Sequence, residues 1–142
     1  MANVPTDEEF LAYNRGIVDE FHAHHGAVSQ LPFPVLLLTT TGARTGRTTT
    51  VPLGYAVDDG GRVLVMASKA GAPRHPAWFH NVRANPSVTV ELGDQSFPAQ
   101  AVVTQGAERD RLYAMISDGA AEYEKNTDRV FPVIVLDGVP AP

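Results

Sequence analysis

The chain has 142 residues, of which 44% are hydrophobic and 19% are charged, and this balance predicts a single globular domain with its own core. Its formal net charge of -5 leaves no basic excess for a phosphate backbone, so we do not expect a nucleic-acid partner. The absence of cysteine excludes disulfides, thiolate metal ligands and a cysteine nucleophile. Neither a secretion signal nor a run of about 18 apolar residues is present, so we expect a cytoplasmic protein.

Residues 1–29 are predicted to form an N-terminal amphipathic helix unit. Thr6 and Glu9 have the spacing of a capping box, which predicts a helix over about residues 7–24. Apolar side chains then recur at steps of three and four, at Phe10, Tyr13, Ile17 and Phe21. We expect this stripe to pack against the rest of the protein; the alternative is peripheral contact of the helix with a membrane surface or a partner.

Three histidines stand near the end of this predicted helix. Of these, His22 and His25 share a helical face and are a candidate pair of metal ligands. Two imidazoles without a carboxylate pattern nearby do not make a metal site, and imidazolium is favourable at a helix C-terminus without any metal. We therefore predict no metal centre.

Residues 30–142 are predicted to form a mainly β domain, because short apolar and β-branched runs alternate with turn residues. The predicted strands cover 35–40, 49–57, 62–67, 87–92, 96–104 and 130–136, and the predicted helices cover 76–84, 107–115 and 120–125. Turns separate most of the strands, with hairpins expected at 58–61 and 93–94. This pattern favours an antiparallel barrel or curled sheet over a doubly wound parallel fold.

One strand-turn-strand segment, residues 39–50 with the sequence TTTGARTGRTTT, combines glycines, arginines and hydroxyls. Glycines let the backbone turn sharply and expose amides, while Arg44 and Arg47 supply donors to an oxyanion. The segment is not a nucleotide P-loop, because neither a lysine nor a helix follows its second glycine. A phosphate-sized anion is the predicted ligand, and a solvated threonine-rich hairpin is the alternative.

Two further segments carry side chains that a ligand on the barrel could contact. Ser68 and Lys69 follow a predicted strand, where Lys69 is either a second anion contact or a solvated loop residue. Trp78 begins a short predicted helix, where it either flanks a planar ring or anchors the helix together with Phe79.

His80, Asn81 and Tyr123 complete the set of candidate polar groups. The first two are helix caps or ligand donors. Tyr123 lies in a charged stretch before the last predicted strand, and its hydroxyl is a candidate donor to a substrate. No serine-histidine-aspartate order, metal-ligand helix or spaced carboxylate pair is present, so the sequence does not support a hydrolase.

Five sequence blocks, in order, resemble the deazaflavin-dependent nitroreductase family of actinobacteria. The blocks are LLTTTGARTG at 37–46, VPL at 51–53, SKAG at 68–71, PAWFHN at 76–81 with NP at 85–86, and EY at 122–123 with TDR at 127–129 and PV at 132–133. The resemblance runs over about residues 30–137. Five ordered blocks are far more specific than any one of them, so the resemblance outweighs the structural alternative given for each block.

The resemblance implies a split β-barrel that holds reduced coenzyme F420, an 8-hydroxy-5-deazaflavin, along a groove. It implies an oxidoreductase in which the cofactor carries hydride and the protein orients a small acceptor. The implied cofactor contacts are Arg44, Thr45, Arg47, Thr49, Thr50, Val51, Pro52, Leu53, Gly54, Met66, Ala67, Ser68, Lys69, Ala77, Trp78, Phe79, His80 and Asn81. Tyr123 is implied on the substrate side.

Two departures from the family pattern bear on affinity and substrate. Many relatives have arginine at the position of Thr49, so this chain has one cation fewer for the acidic tail of the cofactor. Nitroimidazole-reducing members have tyrosines where Ser117 and Ala120 fall. A quinone or another electron-poor acceptor is therefore the expected substrate class.

Two other functions remain open from the sequence. One is an oxidoreductase of the same barrel type that binds flavin mononucleotide. The other is a protein that binds or carries the deazaflavin without catalysing a reaction. The sequence leaves the oligomeric state open as well.

Overall fold

The computed structural model describes residues 7–31, 33–67, 75–116, 131–140 and 142. In this part of the chain the helices are α1 (Asp7–Ala23), α2 (Ala77–Ala84) and α3 (Gly106–Ile116). The strands are β1 (Val35–Thr41), β2 (Thr48–Gly54), β3 (Ala56–Val57), β4 (Val63–Met66), β5 (Ser87–Leu92), β6 (Gln95–Val103) and β7 (Val133–Asp137). None of these three helices is long and apolar enough to cross a membrane. The helix predicted over 120–125 lies outside the described residues.

The strands form one antiparallel sheet with the order β2-β1-β5-β6-β7-β4-β3. The two outermost strands, β2 and β3, are consecutive along the chain and only Tyr55 separates them. Because both ends of the sheet belong to one continuous run of chain, the sheet curls round and closes into a small barrel. This arrangement confirms the antiparallel barrel expected from the sequence.

The sequence predicts one strand over 49–57, but the structure divides this run into β2 and β3. β2 pairs with β1 over its whole length, from Thr48 opposite Thr41 to Gly54 opposite Val35, whereas β3 pairs with β4. A strand that closes a barrel leaves one neighbour and joins another, and this change of partner at Tyr55 interrupts its hydrogen-bond ladder. The predicted hairpins at 58–61 and 93–94 are confirmed by the β3–β4 and β5–β6 pairs.

β1 is buried on both faces, which explains its continuous apolar sequence. Leu36 and Leu38 point into the barrel and are fully buried. Val35 and Leu37 point outward and pack against Phe21 of α1. The predicted packing of the N-terminal helix on the barrel is therefore confirmed at Phe21.

The apolar stripe of α1 is only partly buried. Ile17 and Phe21 are 0% and 1% exposed, but Tyr13, predicted in the same stripe, is 51% exposed. Positions four residues apart advance by about 40° around a helix, so Tyr13 and Phe21 point in directions about 80° apart. The barrel covers the Phe21 side of the helix, and the prediction for Tyr13 is wrong.

α3 covers another outer face of the barrel. In β4 and β7, Val65 and Ile134 fill the barrel interior. Their neighbours Leu64 and Val135 point outward and pack against Leu112 of α3. Because the barrel core covers one face of these strands and α3 covers the other, β4 and β7 are apolar at successive positions.

One buried carboxylate closes the β3–β4 turn. Asp58 accepts hydrogen bonds from the backbone N–H groups of Gly60 (3.0 Å) and Arg62 (2.8 Å), and the Arg62 Nε donates to it at 2.7 Å. The hydrogen bond from the Arg62 backbone, aided by the Arg62 guanidinium, outweighs burial and lowers the pKa of Asp58 below its ordinary value of 3.8. The turn is therefore held by an ionised side chain at neutral pH.

Candidate anion-binding site

The loop between β1 and β2, residues 42–47, is closed by hydrogen bonds within itself. The Gly42 N–H donates to the Arg47 carbonyl at 2.7 Å, and the Gly46 N–H donates to the Gly42 carbonyl at 3.1 Å. The Arg47 N–H also donates to Thr45 Oγ1 at 3.2 Å. Gly46 has a φ of +70°, a left-handed conformation that glycine adopts without strain. The loop therefore presents its side chains from a defined backbone shape.

Arg44 and Arg47 project from this loop and are exposed. Neither guanidinium forms an ion pair with a carboxylate in the described part of the chain. Residues 39–50 contain no Asp or Glu, so the loop is locally cationic in a chain of net charge -5. Unpaired guanidiniums beside turn amides are donors that suit an anion such as a phosphate.

Threonine hydroxyls line the two strands beside the loop. In the register of β1 and β2, Thr39 faces Thr50 with their hydroxyl oxygens 2.7 Å apart, and Thr40 faces Thr49 at 3.4 Å. Thr49 and Thr50 are exposed, whereas Thr40 is 1% exposed. Thr49 and Thr50 lie on opposite faces of β2, so a ligand against the loop can reach one or the other hydroxyl, and that of Thr40 is not accessible.

Asn81 of α2 joins its helix to this loop. Its Oδ1 accepts a hydrogen bond from the Ala43 N–H at 3.1 Å, and its Nδ2 donates to Thr40 Oγ1 at 3.0 Å. Asn85, just after α2, donates from Nδ2 to the Thr41 carbonyl at 3.4 Å. Sequence reasoning missed these links because Asn81 lies 38 residues from Ala43 and 41 from Thr40.

The aromatic residues of α2 point into the protein. Trp78 and Phe79 are 5% and 4% exposed and pack in the barrel core. Ala77 and His80 of the same helix are exposed. The structure thus shows Trp78 and Phe79 as anchors of α2, one of the two interpretations that the sequence allows, and contact of this helix with a cofactor stays a prediction.

Other predicted contacts extend along β2, away from the loop. Val51, Pro52 and Leu53 are half-buried, and Gly54 lies under the ring of Phe33, where an added Cβ would be 2.8 Å from Phe33 Cε2. Gly54 and the loop are at opposite ends of β2. The predicted set therefore spans the full length of this strand.

Met66 and Ala67 lie where β4 ends. Met66 pairs with Val133 of β7, and the N–H of the fully buried Ala67 donates to the Pro132 carbonyl at 3.0 Å. Three further predicted residues, Ser68, Lys69 and Tyr123, lie outside the described residues. Their contacts stay predictions.

A separate cleft of about 340 Å³ lies at the other end of the barrel, where β1 begins at Val35. His25, Leu92 and Phe97 are among the residues that line it, and none of the predicted cofactor contacts is. The described residues around this cleft are mostly apolar and include no Lys or Arg. The loop, and not the cleft, is therefore the candidate anion site.

Polar contacts at the cleft end join α1 to the β5–β6 hairpin. His22 Nε2 lies 3.0 Å from Glu91 Oε1, and His25 Nδ1 lies 2.7 Å from Asp94 Oδ1. Among the residues that the structure describes, no group of three or more His, Cys, Asp or Glu side chains could hold a metal ion. These two histidines therefore serve as contacts between structural elements.

The family model described as F420H(2)-dependent quinone reductase matches residues 13–138, which include most of α1 and the whole barrel. The chain belongs to this family. Membership confirms the resemblance to actinobacterial F420-dependent reductases and makes reduced coenzyme F420 the cofactor. The family description also names a quinone as the acceptor.

Similar proteins support the same assignment. An F420H(2)-dependent quinone reductase of Mycobacterium tuberculosis is 41% identical over 109 residues, covering 72% of this chain and 72% of the relative. A solved structure of an F420-H2 dependent reductase is 40% identical, covers 73% of this chain and 94% of that chain, and has a TM-score of 0.65. Another solved structure, a domain-swapped dimer, is 34% identical, covers 93% of this chain and 100% of that chain, and has a TM-score of 0.67. These structures confirm the split β-barrel fold.

The donors on the loop fit the cofactor of the family. The resemblance implies a phosphate and an acidic tail on that cofactor, both of which need cations and hydrogen-bond donors. Arg44 and Arg47 supply exposed cations, and Thr49 and Thr50 supply exposed hydroxyls. With threonine at position 49, the two loop arginines carry the positive charge of residues 39–50.

Proposed function

We propose that the chain reduces a quinone or another small electron-poor acceptor with reduced coenzyme F420 bound against residues 41–50. The observation that carries this proposal is the pair of exposed guanidiniums, Arg44 and Arg47, that lack carboxylate partners in the described residues. Family membership supports the cofactor and the reaction class. The loop supplies cations where the phosphate and acidic tail would bind.

When bound, the cofactor supplies hydride, and the protein binds, orients and shields the reacting groups. In this proposal Arg44 and Arg47 neutralise the anionic tail, and the hydroxyls of Thr49 and Thr50, which lie on opposite faces of β2, are alternative hydrogen-bond donors to it. The Thr39 hydroxyl lies 2.7 Å from that of Thr50 and orients it. Residues 51–53 are half-buried and extend the site along β2.

The acceptor side needs a hydrogen-bond donor, because a quinone that accepts hydride develops negative charge on an oxygen. We propose Tyr123 for this role from the family resemblance alone, since it lies outside the described residues. Tyr123→Phe keeps the ring and removes the hydroxyl. We expect this change to lower kcat and to leave the dissociation constant of the cofactor unchanged.

Turnover distinguishes a reductase from a carrier. The purified protein is mixed with reduced F420 and a water-soluble quinone, and the return of oxidised F420 is followed by its absorbance. A rate proportional to protein concentration would support the proposal. Tight F420 binding without turnover on any quinone or nitro compound would favour the carrier, and turnover with reduced flavin mononucleotide alone would favour the flavin enzyme.

The proposed location is the cytoplasm, with α1 as the element that would contact a membrane. Leu11 of α1 is 63% exposed, which supports a peripheral contact on that side of the helix. Co-sedimentation with neutral phospholipid vesicles tests this contact. Binding that is lost in a Leu11→Ala variant would support it, and a wild-type protein that stays in the supernatant would contradict it.

A further inference from the structure

Thr40 is a buried polar residue beside the proposed site that does not belong to the predicted contact set. Its hydroxyl oxygen accepts a hydrogen bond from Asn81 Nδ2 at 3.0 Å, and Asn81 Oδ1 accepts one from the Ala43 N–H at 3.1 Å. Because Thr40 is 1% exposed, its side chain is shielded from any ligand on the surface. Two hydrogen bonds in series thus connect a buried strand residue to the arginine-bearing loop.

The direction of these bonds is fixed by elementary chemistry. A backbone N–H can only donate, so the amide oxygen of Asn81 must face Ala43 and its NH2 group must face Thr40. Thr40 Oγ1 is therefore the acceptor that holds the NH2 end of the Asn81 amide. Without a hydroxyl at position 40, the half-buried NH2 group would lose this partner, and the amide would be held at its oxygen end alone.

We infer that Thr40 and Asn81 are positioning residues that hold Ala43, and with it the adjacent Arg44, in the geometry that binds the anionic cofactor. This inference rests on the proposed function of the loop. In this inference Asn81 does not contact the cofactor directly; it acts by holding the backbone of the loop. A charged donor contributes most to binding when neighbouring residues fix its direction. Here those neighbours are Thr40, in the barrel interior, and Asn81, which contacts the loop.

The test compares two buried threonines. Thr40→Val and Thr104→Val each replace a hydroxyl with a methyl group of similar size. Thr104 is 5% exposed, and its hydroxyl donates to the Val133 carbonyl at 2.8 Å, so it has the same burial without a link to the loop. F420 affinity is measured by fluorescence titration, and hydrogen exchange of the Ala43 amide is measured by NMR without cofactor.

We expect Thr40→Val to weaken F420 binding about fivefold, the contribution of one neutral hydrogen bond, and to speed exchange of the Ala43 amide. Thr40→Ser retains the hydroxyl and is expected to keep both values near wild type. Thr104→Val is expected to lower Tm but to leave both values unchanged. Thr40→Val also removes the contact with Thr49 Oγ1 at 3.4 Å, which could itself weaken F420 binding. Faster exchange of the Ala43 amide distinguishes the two causes, because Asn81 and not Thr49 bonds that amide.

A wild-type dissociation constant or an unchanged Ala43 exchange rate in Thr40→Val would overturn the inference. Equal weakening in Thr104→Val would overturn it too, because the effect would then reflect general loss of stability. A wild-type protein that binds no F420 would refute the proposed function of the loop. Normal F420 binding by Thr40→Val would refute only the positioning role.

Discussion

At each end of the barrel, side-chain hydrogen bonds tie a helix to a neighbouring strand or turn. The two ends differ in whether their charged side chains have partners of opposite charge. The loop end comprises residues 42–47 with α2, and the clasp end comprises residues 20–30 with the β5–β6 turn at 93–94. At the loop end the ties are neutral amides and hydroxyls, and both arginines lack a carboxylate partner in the described chain. At the clasp end the ties are histidine–carboxylate pairs. The comparison teaches that unpaired charge makes the loop the candidate anion site, although a cleft of about 340 Å³ lies at the clasp end.

The largest expected effect is a loss of stability on replacing glycine by alanine, and it should differ between the two ends of the barrel. Each end has a glycine with a left-handed backbone. Gly26 has a φ of +95°, and a Cβ there would lie 2.6 Å from Gly93 Cα, whereas Gly46 has a φ of +70° and open space around it. We expect Gly26→Ala to lower the free energy of unfolding by more than about 2 kcal/mol, and Gly46→Ala by about 1 kcal/mol. Urea unfolding measures both. Equal losses would contradict the close backbone contact at the clasp end.

A second prediction concerns the charge at the loop end. Arg47→Ala is expected to weaken F420 binding about tenfold, because a charge-assisted contact to the anionic tail is lost. Arg111→Ala is the matched control, since Arg111 is an exposed arginine on α3. Isothermal titration of both variants gives the dissociation constants. The same loss in the two variants would indicate a general effect of net charge and would contradict a local site.

At the clasp end, the expected effect depends on pH. Glu20 accepts hydrogen bonds from the Ser29 hydroxyl (2.7 Å), the Ser29 N–H (3.1 Å) and Gln30 Nε2 (3.3 Å). The Ser29 hydroxyl is the main cause that lowers the pKa of Glu20 below its ordinary value of 4.5. The stabilisation is therefore complete above pH 4.5 and is lost as the pH falls through the lower folded-state pKa.

The Glu20→Gln variant tests this dependence. Its unfolding free energy is expected to decline less than that of wild type as the pH falls below 4.5, since glutamine does not titrate. Thermal unfolding at a series of acidic pH values provides the comparison. Parallel curves for the two proteins would show that Glu20 does not contribute in its ionised form.

The smallest expected effect concerns the two histidine pairs of the clasp end. The side chains of His22 and His25 are 54% and 76% exposed, so solvent weakens their contacts with the carboxylates. His22→Gln and His25→Gln are each expected to lower the unfolding free energy by less than about 1 kcal/mol and to leave F420 affinity unchanged. Urea unfolding at low and high salt measures the loss. A loss that persists at high salt would show that packing matters more than charge.

Local patterns made much of the fold predictable from the sequence. The alternation in Ser87–Leu92, followed by Gly93, specifies a hairpin because neighbouring residues alone set its turn and its buried face. The loop at 42–47 was predictable for the same reason, since its glycines and arginines stand within a few positions of one another. The proposal that it is an anion site rests on charge that the sequence shows directly.

Features that depend on distant parts of the chain were not predictable. At Tyr55 the chain stops pairing with β1 and starts pairing with β4, as the curled sheet requires. The local sequence shows only one continuous strand pattern there. The bonds of Asn81 to Thr40 and Ala43 depend on how α2 packs against β1. Tyr13 has the spacing of a buried residue, but its exposure depends on which side of α1 meets the barrel.

The most direct measurement is a fluorescence titration of the purified protein with oxidised coenzyme F420, with flavin mononucleotide as the control ligand. Wild type is compared with Arg44→Ala, with Lys69→Ala and with the control Arg111→Ala. We predict saturable F420 binding that is preferred over flavin mononucleotide and weakens by about tenfold or more in Arg44→Ala, weakens in Lys69→Ala, and is unchanged in Arg111→Ala. No F420 binding, tighter binding of flavin mononucleotide, or an unchanged dissociation constant in Arg44→Ala would contradict the assignment of the loop as the cofactor's anion site.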